Sequence, residues 1–522
     1  MRILYDLTNS ALPHTIEQSF ATKQREGFET LEIKRSAGIL LPVFSLPGPY
    51  GIGTLGKEAR AFADFLKAAG QRWWQILPVG PTGAGDSPYT SVSTFAGNPL
   101  LLDPEALAAE GLLTQDDLDQ VKVPEGPIDY AALYESRETL LRTAFSRLSG
   151  EKAQAIRDFA NGNAWVREFA LYQAAKAHFG QQPWYQWPDQ ALRRHESAAV
   201  EHWRGELAEE VAFHTAVQYW FAVQWEALKQ YVNSLGVGLI GDLPIYVSLD
   251  SADVWAERKE FLLDAEGKPS KVAGVPPDYF SAEGQLWGNP LYDWKAQKAD
   301  GFGWWIRRVE GAAKRVDALR LDHFRAFESY WAIPAGAKSA KTGQWEKGPG
   351  MDLLRVLTNW FPQITYIAED LGLLTDDVHR LREESGLPGM KVLEFAFSGP
   401  DNAYLPHHYT SQICVCYTGT HDNDTALGWY AHASDQEKAF ARIYLGAEDG
   451  ESARKALLRA GQTSLARLFV AQMQDYLGLG SEGRINIPGV AEGNWRWRMA
   501  SGAATAELAR QIQALTAAAS RC

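Results

Sequence analysis

Short apolar runs closed by turns, each followed by a stretch with helical periodicity, recur along this chain of 522 residues. Ser36-Ala37-Gly38-Ile39-Leu40-Leu41-Pro42-Val43 reads as a buried strand that ends in a Gly/Pro-rich loop, Pro47 to Gly53. Gly56 to Ala69 sets Phe62, Phe65 and Leu66 on one face of a helix. Trp73-Trp74-Gln75-Ile76-Leu77-Pro78-Val79 is a second strand. Strand, helix and strand at this spacing predict a βα unit with parallel strands.

The rhythm then breaks. Gly80 to Gly97 is rich in Gly, Ser, Thr and Pro, and the stretch to Leu235 is mainly helical in pattern. Residues 80–210 are therefore expected to form a helical insertion folded over one end of the molecule. The helix from about Val211 stops at Gly236, a suitable C-cap. Strand patterns resume at Val237–Val247, Ala318–Phe324, Tyr366–Leu371, Met390–Phe397 and Val415–Gly419, with Gly483–Ile487 as the candidate for the eighth. About eight strands separated by helices predict an α/β fold, a (β/α)8 barrel over residues 36–502. Residues 248–300 are expected to be a long active-site loop region, because long aromatic loops in compact domains tend to bind or cover ligands. Residues 1–35 read as an N-terminal extension and 503–522 as a C-terminal Ala-rich helix. Too little chain follows the last strand for a β-sandwich of ~100 residues.

Composition narrows the partners. A net charge of −13, without any long Lys/Arg run, lacks the electrostatic footprint of a nucleic-acid or anionic-membrane binder. No apolar run approaches the ~18 residues of a membrane span, and the first residues lack a signal-peptide core. Cys414, Cys416 and Cys522 are too few for a zinc site and fit a reducing, cytoplasmic compartment. The 19 tryptophans read mostly as core, with some available to stack on sugar rings.

Three of the strands end in carboxylates: Arg320-Leu321-Asp322, Ala368-Glu369-Asp370 and Thr420-His421-Asp422. A barrel enzyme presents its acids at the C-terminal ends of its strands. Arg320 and Asp322 share a strand face, so the guanidinium is expected to lower the pKa of Asp322 and keep it ionised. Glu369, beside Asp370 or in a dry pocket, is expected to have a raised pKa suited to proton transfer. Asp370 fits the N-cap of a following helix. His421-Asp422 can receive sugar hydroxyls. Taken singly, each phrase is as well explained by a structural pair or a cap. Together they suit glycosyl chemistry, in which one carboxylate attacks, one carries the proton and one steadies the charge.

The order of Asp242, Arg320-x-Asp322, Glu369 and His421-Asp422 resembles the four conserved regions of the α-amylase clan. Ser87-Pro88-Tyr89, Gly241-Asp242-Leu243-Pro244, Gly274-Val275-Pro276-Pro277-Asp278-Tyr279-Phe280, Trp287-Gly288-Asn289-Pro290 and Gly419-Thr420-His421-Asp422-Asn423-Asp424 look like the 4-α-glucanotransferases, or amylomaltases, of glycoside hydrolase family 77. The resemblance runs from about Ser36 to about Arg498. It implies Asp322 as nucleophile, Glu369 as general acid/base and Asp422 as stabiliser of the transition state. It implies that Tyr89, Asp242, Arg320 and His421 hold the reacting sugar, that Tyr279, Phe280, Gln285 and Trp287 lie on the loop covering the cleft, and that Asn486 sits near the end of the last strand. Leu286 would tune acceptor preference. No metal or cofactor is implied, and no EF-hand loop is present.

The reaction implied is a retaining double displacement, with the two central carboxylates ~5–5.5 Å apart. Donors would be α-1,4-glucans and maltooligosaccharides, and acceptors glucose or maltooligosaccharides, with no nucleic acid or membrane involved. A retaining α-glucan hydrolase would use the same residues. An inactive starch-binding barrel would need no proton donor, and the intact acids argue against it.

Overall fold

Trp73 and Trp74 occupy adjacent positions in a strand only three residues long, Trp73–Gln75 (β2). The neighbours of β2 make room for them. Gly38 on Ser36–Leu40 (β1) and Gly238 on Gly238–Leu243 (β3) are both register partners of Trp73. A Cβ on Gly238 would lie 2.5 Å from the Trp73 ring, and one on Gly38 would lie 2.8 Å from Trp73 Cβ. The pattern of large against absent side chains therefore pins the register of the first three strands.

The computed structural model describes residues 34–277, 282–372 and 374–522. After β3 come Lys271–Val275 (β4), Gln285–Pro290 (β5), Ala318–Leu321 (β6), Ser329–Pro334 (β7) and Gln344–Lys347 (β8). Thr365–Ala368 (β9), Gly389–Val392 (β10), Cys414–Tyr417 (β11) and Leu468–Gln472 (β12) follow. Eight of these strands close into a parallel barrel in the order β1, β2, β3, β6, β9, β10, β11, β12. Both faces of β1, β2, β3, β6, β11 and β12 are buried, as helices outside and side chains inside require.

The eighth strand is not Gly483–Ile487. Leu468-Phe469-Val470-Ala471-Gln472 closes the barrel, paired along β1 from Ser36↔Leu468 to Leu40↔Gln472. A strand covered on both faces reads as a continuous apolar run. The alternating Arg484 and Asn486 mark a loop with one side to solvent.

Between β2 and β3 the chain forms the helices Pro104–Ala109, Gln115–Gln120, Tyr130–Ser146, Gly150–Gly162, Ala164–His178 and Ser197–Glu206. The long helix Ala208–Ser234 leads back to the barrel, burying Phe213, Val217, Phe221, Leu228 and Val232. The segment read as a long loop over 248–300 holds β4 and β5. With β7 and β8 they form a separate antiparallel sheet, ordered β5-β4-β7-β8. Its halves come from two different barrel connections, so no local hairpin pattern announces it. The chain ends in the helix Ala506–Ala518. Cys414 and Cys416 are buried free thiols and Cys522 is exposed. Among the described residues no helix is long and apolar enough to cross a membrane.

Candidate active site

Asp242 near the end of β3 and Arg320 on β6 are register partners, so their side chains emerge together at the barrel mouth. Arg320 Nη1 donates to Asp242 Oδ2, and Nη2 lies 3.0 Å from Asp322 Oδ1. One buried guanidinium thus holds two carboxylates, a use its planar fork suits. Tyr89, from the loop after β2, donates its hydroxyl to the same Asp242 Oδ2 at 2.6 Å. Asp242 Oδ1 is buried with no hydrogen-bond partner among the described residues.

Glu369 follows β9, the neighbour of β6. Its Oε2 accepts the backbone N–H of His323 at 2.7 Å, and its Oε1 accepts that of Leu371 at 3.3 Å. His323 adopts the left-handed region at φ 52°, ψ 50°. Strain of this kind in a non-glycine residue gathers at working sites. Here it accompanies the sharp turn after Asp322, where the next peptide N–H meets Glu369. Asp370 is not an N-cap. The following helix, Asp376–Ser385, has Thr375 at its cap, and Asp370 instead accepts the Met390 N–H and pairs with Arg382.

The phrase after β11 is held from below. Thr418 donates to Asp475 Oδ2, and Asn423 Oδ1 accepts both the N–H and the hydroxyl of Thr420. A Cβ on Gly419 would lie 2.8 Å from the side-chain ends of Glu394 and Gln472 and 2.9 Å from Asn423 Cβ, so a larger residue would have to displace them. His421 is buried and stacks on Tyr89, with ring centroids 5.0 Å apart and an interplanar angle of 18°. Its Nε2 lies 3.3 Å from Asp422 Oδ2. Asn486 Nδ2 donates to Asp422 Oδ1 at 2.6 Å.

Burial dominates the electrostatics. It pushes the Asp322 carboxyl up to about 6, with Arg320 pulling the other way. The expectation that Arg320 would lower this group is therefore corrected. The arginine acts in the expected direction and limits the rise but does not reverse it, because burial outweighs it and the charge of Asp242 adds to the rise. Glu369 is raised well above the usual carboxylate range by burial, opposed by Arg320 and helped by the charge of Asp322. His421 is lowered by burial, against the pull of Asp422. Asp322 is thus ionised near neutral pH, while burial shifts Glu369 toward its proton-carrying form.

Residues 41–504 match a family model described as 4-alpha-glucanotransferase, glycoside hydrolase family 77. The chain belongs to this 4-α-glucanotransferase family. It is 47% identical over 94% of its length to the whole of a 4-alpha-glucanotransferase from Thermus thermophilus. It is 46% identical over 89% of its length to one from Aquifex aeolicus, covering 95% of that protein. The solved amylomaltase from Streptococcus agalactiae, in complex with acarbose, superposes with a TM-score of 0.90 at 38% identity, over 94% of this chain and all of that one.

The outlying residues of the glucanotransferase fall in two groups. Trp287 on β5 meets the mouth, its ring edge-on to His323 with centroids 4.9 Å apart, and its indole N–H donates to Gln285. Its neighbour Leu286 is exposed. Tyr279 and Phe280 lie outside the described residues. Asn486, expected near the end of the last strand, sits in the loop beyond the helix Met473–Leu477 that follows β12, and reaches Asp422 from there. Sequence reasoning missed Trp495, whose ring lies 5.9 Å from Tyr89 and 6.0 Å from His421, and Arg484, which donates to the Asp422 carbonyl. Arg484 stands two residues before Asn486, and that spacing was its only signal. Among the described residues no cluster of His, Cys, Asp and Glu is arranged to hold a metal ion.

Proposed function

We propose that the 4-α-glucanotransferase reaction runs here through Asp322, Glu369 and Asp422. An Asp322 oxygen attacks C1 of the donor sugar as Glu369 gives its proton to the departing O4. The product is a β-glycosyl ester on Asp322 and a shortened glucan. Glu369, now a carboxylate, takes the proton from the 4-OH of an acceptor, whose oxygen attacks C1 and releases Asp322. Two inversions leave the new bond α. Asp422 faces the positive charge that develops on the ring in both steps. Asp242 Oδ1, which has no hydrogen-bond partner among the described residues, accepts a hydroxyl of the same sugar, and His421, Arg320 and Tyr89 help to hold that sugar.

The observation that carries this reading is the tie between the first two acids. The peptide N–H that follows Asp322 donates to Glu369 at 2.7 Å, so nucleophile and proton donor are held on adjacent strands by a single turn. Donors are α-1,4-glucans and maltooligosaccharides, and acceptors glucose or maltooligosaccharides. Trp287, Gln285, Tyr279 and Phe280 serve the acceptor side and keep water out. The enzyme is assigned to the cytoplasm, which suits its free thiols. Maltotriose tests the whole reading. Transfer turns it into glucose plus longer oligomers on a thin-layer plate. Glucose and maltose alone would mean that water wins, and would make this chain a hydrolase.

A further inference from the structure

Asp422 has a more exposed seat than Asp322. Asp322 follows a barrel strand directly, whereas Asp422 stands on a turn with its side chain 45% exposed, against 26% for Asp322. A carboxylate that must face a developing charge works only if its direction is set beforehand.

Arg484 encloses that turn. Its Nη2 donates to the Asp422 backbone carbonyl at 2.9 Å, and its Nε donates to the Asn486 carbonyl at 2.8 Å. Asn486 in turn donates its side-chain amide to Asp422 Oδ1. The loop is closed: one guanidinium holds the backbone of Asp422 and also the backbone of the residue that holds its carboxylate. Nη1 faces Asp424 Oδ2 at 3.9 Å, and Ser481 fixes that oxygen with a 2.7 Å hydrogen bond. Ser481 opens the short turn Ser481–Gly483 that delivers Arg484. The two aspartates of His421-Asp422-Asn423-Asp424 thus play different parts. Asp422 points to the cleft, and Asp424 anchors the arginine behind it.

We propose that Arg484 is a positioning residue for catalysis, fixing Asp422 directly through its carbonyl and indirectly through Asn486. The proposal rests on the reading of Asp422 as the charge-stabilising group. A lysine could keep the charge but could not span both carbonyls, since it lacks the planar fork.

The test is a cycle on the full chain, with kcat and KM for maltotriose measured in Arg484→Ala, Asp422→Asn and the double variant. Arg484→Ala should lower kcat about a hundredfold, the scale of a small misplacement at a reacting centre, with KM unchanged. Added guanidinium should restore part of the loss. In the Asp422→Asn background the arginine should have nothing left to orient, so its removal should cost no further kcat. A merely structural tie would lower the melting temperature, leave kcat of the folded fraction near normal and resist rescue. Losses that multiply in the double variant, or near-normal kcat in Arg484→Ala, would overturn the proposal. If Arg484→Ala does not fold, Arg484→Lys carries the same cycle. Near-normal turnover in folded Asp422→Asn would instead bring down the reading of Asp422, a failure visible without any change at Arg484.

Discussion

The barrel buries an arginine at each end and uses them in opposite ways. At the mouth Arg320 faces Asp242 and Asp322, two groups that can be protonated and that a sugar can reach. At the foot Arg521 is fully buried and donates to the carbonyls of Ser36, Gln462, Ser464, Ala466 and Arg467, at 2.6–3.2 Å. Burial lowers Arg521 to about 10, so it stays charged at neutral pH. These acceptors are neutral, close the start of β1 and the approach to β12, and cannot change state. Identical guanidinium chemistry therefore yields an adjustable centre at one end and a fixed plug at the other. This matches the general division of such barrels between a working C-terminal face and a stabilising N-terminal face.

The largest blow to that contrast falls at the mouth. Glu369→Gln should cut turnover of natural glucans by about four orders of magnitude, because glutamine cannot protonate a leaving sugar. The fold should be untouched. An α-glucosyl fluoride needs little protonation, so Asp322 should still attack it and the ester should persist for want of a base. Intact-protein mass spectrometry should find one added glucosyl unit, and peptide mapping should place it on Asp322. A label on Asp422 would reverse the roles proposed for the mouth.

At the foot the expected effect is smaller and of another kind. Arg521→Met should fill much the same space but remove five charge-assisted hydrogen bonds to carbonyls, leaving Arg35 as the side-chain donor to Gln462, Ser464 and Ala466, at about 3 kcal/mol of stability. Calorimetry should record a clear fall in melting temperature, and kcat at 25 °C should be unchanged. Lost turnover in folded Arg521→Met would erase the distinction between the two ends.

Legibility in the sequence also divides along this axis. The mouth was readable because its chemistry sits in short phrases at strand ends, where an apolar run stops on a carboxylate. Asp242, Arg320, Asp322, Glu369, His421 and Asp422 all meet there. Arg521 was unreadable, because a lone arginine in a tail says nothing of carbonyls that lie more than 50 residues away in sequence or more. The sheet β5-β4-β7-β8 was hidden for a related reason: β4 and β7 pair across an intervening barrel strand, β6. The eighth strand was expected at Gly483–Ile487, whereas the continuous apolar run Leu468–Gln472 fills that place, as a strand buried along its whole length does. The rise at Asp322 escaped because the sequence displays its arginine neighbour but not the depth of its burial, nor the claim of Asp242 on that arginine.

The finest test of the contrast asks whether the mouth really shares one charge among its acids. Asp322 must be ionised to attack, so kcat/KM should fall as pH drops through about 6. The negative charge of Asp242 is one cause of that raised value, and Asp242 also occupies one arm of Arg320. Asp242→Asn removes the repulsion and leaves the guanidinium to Asp322 alone. Both changes favour the ionised nucleophile, so the acid limb should move down by about one pH unit. The height of the profile should also drop, because Asp242 is expected to bind the sugar. The position of the limb does not depend on that height, so a pH series of kcat/KM on maltotriose separates the two. A limb that stays put or moves upward would mean that Arg320 serves each carboxylate independently. The mouth would then be as fixed in its charges as the foot.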